Sequence, residues 1–141
     1  MKYLLDTNAC VRYLAGRSLA LRALLEATPP DELAVCSVVK AELRYGAYKG
    51  QRTETTLQAQ DILLGQLRSL PFDDAAAEVY GQIRAALERA GTPIGANDLL
   101  IAAIALANHL VLVTHNTAEF CRVPGLVVED WETEPSRSSR Q

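Results

Sequence analysis

The chain has 141 residues, of which 49% are hydrophobic, 22% charged and 6% aromatic; that is enough apolar surface for one real core, and it excludes a disordered chain. Its longest apolar runs, such as LLIAAIALA from Leu99 to Ala107, fall short of the roughly 20 residues of a membrane span, and no signal-peptide pattern opens it, so a soluble, cytoplasmic protein is expected. Fourteen Lys+Arg against 17 Asp+Glu give a net charge of -3, which excludes nucleic-acid binding by a generally basic surface and leaves it only to a local device. Cys10, Cys36 and Cys121 are odd in number and widely spread, forming neither a disulfide framework nor a paired zinc motif and suiting a reducing compartment.

In chain order, Lys2 to Asp6 reads as a short buried strand ending at Asp6. Thr7 and Asn8 are capping types before a short helix, ACVRYLAG, closed by Gly16. Ser18 caps a second helix, LALRALLEAT, which stops before Pro29-Pro30. Glu32 to Ser37 (ELAVCS) reads as a second buried strand, and Ser37 caps a helix that ends at Gly50. Residues 53–69 carry leucines at near-helical spacing up to the break at Pro71. Asp73 and Asp74 open another helix with acid in its first turn, and Gly91 ends it. After the turn TPIGAN, DLLIAAIALANH (98–109) is apolar on nearly every face and reads as a central buried helix. Leu110 to Thr114 is a buried strand, HNTAEF a loop, and Leu126 to Trp131 a final short strand. The expected organisation is one domain over 1–134 with a disordered tail over 135–141. Strands alternating with helices predict an α/β/α sandwich around a central, mostly parallel sheet.

In such a sheet, ligands bind beyond the carboxyl ends of the strands. Asp6 and Thr114 end two strands, Asn116 and Glu119 follow in the next loop, Asp98 opens the buried helix, and Glu42 lies about a turn into the helix after the second strand. Each acid also has an ordinary reading: Asp6 and Asp98 as helix caps, Glu42 and Glu119 as solvated surface groups. Together, four carboxylates from four segments are positioned to meet. Two unit charges about 4 Å apart repel by roughly 4 kcal/mol at an effective dielectric of 20. Such a cluster therefore needs protons or a divalent cation, and oxygen-only donors favour Mg²⁺ or Mn²⁺ over zinc. His109, His115 and Cys121 lack the tight spacing of a zinc site. Neither a G-x-S-x-G elbow nor a phosphate-binding P-loop is present.

LLDTN, KAELRYGA, PIGANDLLIAAIAL and LVTHNTAEFCRVPGLVVEDW, in this order over Met1 to Trp131, resemble the PIN-domain family, and within it the VapC toxins of bacterial toxin–antitoxin pairs. The resemblance implies a Mg²⁺-dependent endoribonuclease, with Mn²⁺ as a substitute, held inactive by a VapB-type antitoxin. It implies Asp6 and Asp98 as metal ligands and Glu42 as a ligand through water or an orienting base. The fourth acidic site falls in THNTAEF, where Asn116 holds the first slot and cannot bring a charge, leaving Glu119 to supply it. Asn8, Thr114 and Asn116 would steady the carboxylates by hydrogen bonds. Water oriented by a carboxylate would attack phosphorus in line, and the substrate implied is structured RNA cut in an exposed loop, such as a tRNA anticodon loop. Lys40, Arg44, Lys49 and Arg52 are candidate RNA contacts. Relatives pair as homodimers; Leu21, Leu24 and Leu25, or Leu57, Leu63 and Leu64, serve either such an interface or the core.

Two rivals stand beside this reading. A haloacid-dehalogenase-like phosphatase also starts with a strand ending in Asp, but its chemistry wants an acid two residues later, where this chain has Asn8. A catalytically degenerate PIN-like binding module has no need of the trio Asp6, Glu42 and Asp98.

Overall fold

A computed structural model describes residues 1–133. The expected tail at 135–141, together with residue 134, lies outside the described residues. The strands are β1 (Tyr3–Leu5), β2 (Leu33–Cys36), β3 (Arg68–Leu70), β4 (Val111–Val113) and β5 (Val128–Glu129). They form one five-stranded sheet in the order β3-β2-β1-β4-β5, and every pairing is parallel. The helices are α1 (Thr7–Leu14), α2 (Leu19–Ala27), α3 (Ser37–Lys49), α4 (Thr53–Leu64), α5 (Asp74–Arg89), α6 (Ala96–Ala107) and α7 (Thr117–Phe120). The result is the expected α/β/α sandwich.

The central strands are buried on both faces, which is why they read as unbroken apolar runs. Leu4, Leu5, Ala34, Val35 and Leu112 are fully enclosed, and α6 contributes Ile101 to Ala105 from one continuous segment of the core. Parallel pairing aligns the carboxyl ends of β1, β2 and β4 along one sheet edge. The Asp6 N–H donates to Val113 O at 3.1 Å, so the first residue past β1 is tied to the last residue of β4.

Several boundaries differ from the sequence reading. The segment 53–69 is not one helix: α4 stops at Leu64, Gly65 caps it, and the chain straightens into β3. Leu67 and Leu70 are buried as expected, but as residues leading into and closing an edge strand whose Arg68 and Ser69 are exposed; a charged edge resists further pairing. Phe120, fully buried, closes a short helix where a loop was expected. The final strand is only Val128–Glu129, because Asp130 turns the chain by accepting the N–H of Glu132 at 2.9 Å. The helix expected over 98–109 starts at Ala96 and ends at Ala107, where His109, at φ 56°, reverses the chain. Ser18 caps α2 as read, accepting from Leu21 N at 3.2 Å. Ser37, by contrast, lies inside α3 behind Cys36, and its hydroxyl donates to Leu70 O.

Candidate active site

Asp6 is the only one of the candidate acids to be almost wholly enclosed, at 4% exposure. It caps α1, with Oδ1 accepting the Ala9 N–H at 2.8 Å, so the capping role given to Thr7 and Asn8 belongs to Asp6 itself. The Thr114 hydroxyl also bonds its carboxylate. Burial drives the Asp6 carboxyl up to about 6; the bonds from Thr114 and Ala9 pull it back, while the charges of Glu132 and Glu42 push it further up.

Asp98 does not cap its helix. Gly95 holds the cap position, and Asp98 sits in the first turn of α6, where the helix dipole favours a carboxylate. Its side chain meets Glu119, brought in by α7. Burial, the hydrogen bond and charge of Glu119, and the charges of Asp6 and Glu42 raise Asp98 to about 7. Glu119 is also penalised by burial but moves down overall, because the Gly95 N–H, Asp98 and Asn116 all bond its carboxylate. The two acids therefore titrate as a pair, with Asp98 the more readily protonated and Glu119 the more readily ionised. Glu119 Oε1 accepts the Gly95 N–H at 2.8 Å.

Glu42 reaches the same place from α3. The Thr7 hydroxyl donates to its Oε1, and Asn97 Nδ2 donates to its Oε2 at 3.1 Å. It is thus held between the residue after Asp6 and the residue before Asp98. The four predicted acids converge at one sheet edge, although no three of them close to within bonding range of a common ion: among the described residues, the one trio with donor atoms all within 4.8 Å of one another is His115, Asp130 and Glu132.

The supporting residues differ from expectation. Thr114 holds Asp6 as expected and also accepts the Asn116 N–H at 3.0 Å. Asn116 works as a donor, its Nδ2 bonding Glu119 Oε2, so its lack of charge is what the neighbouring anion needs. Asn8 is exposed and makes no side-chain hydrogen bond among the described residues; Thr7 and Asn97, passed over in the sequence, do the holding. Their signal was adjacency, since each flanks one of the acids in the DTN and AND tripeptides.

The four residues expected to contact RNA lie on α3 and just before α4. Lys40 and Arg44 each lie two residues from Glu42, about 200° around the helix. The Arg44 guanidinium is taken up by Gln60 and Asp61 of α4, pinning two helices together. Lys49 stacks over Tyr45 at 5.5 Å, and Arg52 is exposed just before α4. Nucleophilic cysteine chemistry is disfavoured, because burial raises the thiols of Cys10 and Cys36.

Residues 3–126 match the family model described as PIN domain. The chain belongs to the PIN-domain family. Among curated PIN-domain relatives, it is 39% identical over 133 residues to "Ribonuclease VapC2" of Rickettsia felis, covering 94% of this chain and 99% of that one. It is also 39% identical over 131 residues to "tRNA(fMet)-specific endonuclease VapC" of Shigella flexneri, covering 93% and 98%. In solved structures, the VapBC complex of Salmonella typhimurium bound to DNA superposes with a TM-score of 0.88 at 37% identity, covering 93% of this chain and 98% of that one. PIN domains use divalent cations, and two observations make this donor set fit one. Asp98 and Glu119 bring two carboxylates together, a repulsion that a cation relieves. A Cβ built on Gly95 would lie 3.5 Å from Asp98 Oδ2 and 3.6 Å from Glu119 Oε1, so glycine leaves space open against both carboxylates.

Proposed function

We propose that this chain is a Mg²⁺-dependent endoribonuclease, with Mn²⁺ as a substitute, that cuts structured RNA in an exposed loop, and that a tRNA anticodon loop is its substrate. The observation that carries the reading is the pair of carboxylates Asp98 and Glu119 beside the bare Cα of Gly95, with Asp6 and Glu42 in electrostatic reach. Curated relatives named as tRNA(fMet)-specific endonucleases support the substrate class.

Asp6, Asp98 and Glu119 would hold the ion, with Glu42 alongside. When bound, the ion supplies positive charge against the phosphate and makes nearby water more acidic. Glu42, steadied by Thr7 and Asn97, orients the attacking water and takes its proton. Thr114 and the Ala9 N–H fix Asp6, and Asn116 and the Gly95 N–H fix Glu119, so neither carboxylate must reorganise as charge builds on the phosphate. Because water attacks, the RNA 2′-hydroxyl is not the nucleophile; the P–O3′ bond breaks, the 3′-oxygen leaves and takes up a proton, and the products carry a 5′-phosphate and a 3′-hydroxyl.

A VapB-type antitoxin is the proposed partner. A cavity of about 430 Å³ between α1, α3 and α4, lined by Val11, Leu14, Leu43 and Ala59, opens beside Glu42, which suits an apolar segment that delivers a basic side chain to the carboxylates in competition with the metal. Complexes titled VapBC in Rickettsia felis and Salmonella typhimurium support that pairing. A homodimer is proposed as well. Leu21, Leu25 and Leu63 are core residues and Leu57 and Leu64 are half-buried, which leaves Leu24 together with Leu19 and Ile62 as the large exposed apolar side chains of α2 and α4. The proposed compartment is the cytoplasm, in line with three free cysteines. A degenerate binding module would have no need of Asp6, Glu42 and Asp98, and the uncharged Asn116 serves Glu119 as a hydrogen-bond donor.

The test is to map 5′ ends in total RNA after induction of the parent and of Asp6→Asn. New 5′-phosphate ends within loops in the parent alone are expected, and purified parent should stop cutting in EDTA. Identical ends from the variant, or none from either, would overturn the reading.

A further inference from the structure

The acids explain how a linkage is cut but not how a polyanion is kept beside them. With Arg44 engaged by α4, the expected basic face of α3 supplies little. The other side of the acid cluster carries a cavity of about 600 Å³, lined by Asn8, Val11, Arg12, Arg17, His115 and Asn116. Asn116 connects it directly to Glu119 and Thr114. A smaller cavity of about 300 Å³ continues from it, again lined by Arg12, Arg17 and His115.

Two of these side chains, Arg12 and His115, are held by the segment after β5. Glu132, its side chain 6% exposed, binds Arg12 through Nε, leaving both terminal guanidinium nitrogens without an acceptor among the described residues. Asp130 Oδ2 bonds His115 Nδ1 at 3.0 Å and accepts the Thr133 hydroxyl at 2.7 Å. Arg17 follows Gly16, whose φ of 65° turns the chain out of α1, and its N–H donates to Arg12 O at 3.0 Å. Among the described residues its side chain makes no ion pair. His115, Asp130 and Glu132 also have the spacing of a metal trio, but a second cation there would face the Arg12 guanidinium that already neutralises Glu132.

We infer that Arg12 and Arg17, with His115 closing the wall, seat the phosphate backbone of the RNA strand next to the linkage that is cut. This rests on the ribonuclease reading and adds to it the groups that position the substrate. The ligand class is the sugar-phosphate backbone of single-stranded RNA, recognised by charge and not by base.

The experiment uses the full chain in EDTA, where binding is read without cleavage, with a fluorescent anticodon-arm stem–loop as the probe, titrated from 50 to 200 mM KCl. Each phosphate contact to a single strand contributes a slope of about 0.7 in log K against log salt. Arg17→Gln is expected to weaken binding about fivefold and lower the slope by about 0.7; Arg17→Lys should keep the slope, and Arg89→Gln, at the far end of α5, should change nothing. In Mg²⁺, Arg17→Gln should raise KM and leave kcat within about twofold. An unchanged slope, an effect matched by Arg89→Gln, or a greater loss of antitoxin binding than of RNA binding would overturn the seat. A parent chain that neither binds nor cuts the stem–loop would bring down the ribonuclease reading itself.

Discussion

Replacing Asp6 with asparagine separates what this carboxylate does to the fold from what it does at the site. Burial raises Asp6 from 3.8 to about 6, so the folded chain still holds a proton over a range where the unfolded chain has released it. The native state binds more protons there, so stability present below about pH 4 is lost as pH rises through about 6. That gap of about 2, at about 1.36 kcal/mol for each pKa unit, comes to about 3 kcal/mol of destabilisation carried by the parent at pH 8. Asparagine carries no charge, caps a helix as well as aspartate, and keeps an acceptor for the Ala9 N–H; disturbing the Thr114 bond costs about 1 kcal/mol. Without metal, Asp6→Asn should therefore be about 2 kcal/mol more stable than the parent at pH 8 and no more stable at pH 4. Urea unfolding in EDTA reads this as a midpoint about 1 M higher at pH 8, given slopes of about 1–3 kcal/mol per molar. Millimolar Mg²⁺ should reverse the order by stabilising the parent alone. A variant less stable at pH 8, or one whose advantage is the same at both pH values, would refute the argument that Asp6 is a buried carboxylate awaiting a cation.

Other changes probe the same cluster. Asp98→Asn should abolish RNA cleavage while antitoxin capture on an affinity column is retained; cleavage at the parent's rate would remove Asp98 from the site. Gly95→Ala should fold normally, since its Cβ makes ordinary contacts at 3.5 and 3.6 Å, yet cleavage should demand more Mg²⁺ because the open space is filled; an unchanged Mg²⁺ titration would show that the space is not used. Asn116→Asp replaces a donor to Glu119 with a second anion, so it should lower the thermal midpoint in EDTA and recover it when Mg²⁺ is added. A midpoint indifferent to the metal would count against Glu119 as a ligand.

The sheet edge was legible because buried parallel strands announce themselves as apolar runs, and a polar residue at the end of each run is easy to see. Asp6 could be placed at that edge from its strand end, while Glu42, Asp98 and Glu119 needed the family likeness to single them out from solvated acids. Gly95 and Asn97 were harder: both were read as turn residues, and their roles depend on α6 starting two residues earlier than its apolar face suggests. β3 was hidden because Leu67 and Leu70 continue the helical spacing of α4, and only the pairing partner β2 makes a strand of them. Arg12 and Arg17 could not be told from solvated charges, since Arg12 is held by Glu132, more than a hundred residues later in the chain, and Arg17 is set by the turn at Gly16.

The split of the site between the two halves of the chain has a consequence for its synthesis. Asp6 is synthesised long before β4, but it gains its enclosure only when β4 aligns beside β1, and Glu119 follows later still. A product terminated anywhere before Val111 carries the first acids on an unfinished sheet, with no chamber to gather them. A nuclease assembled in this order has no complete cluster of acids until nearly all of the described fold exists.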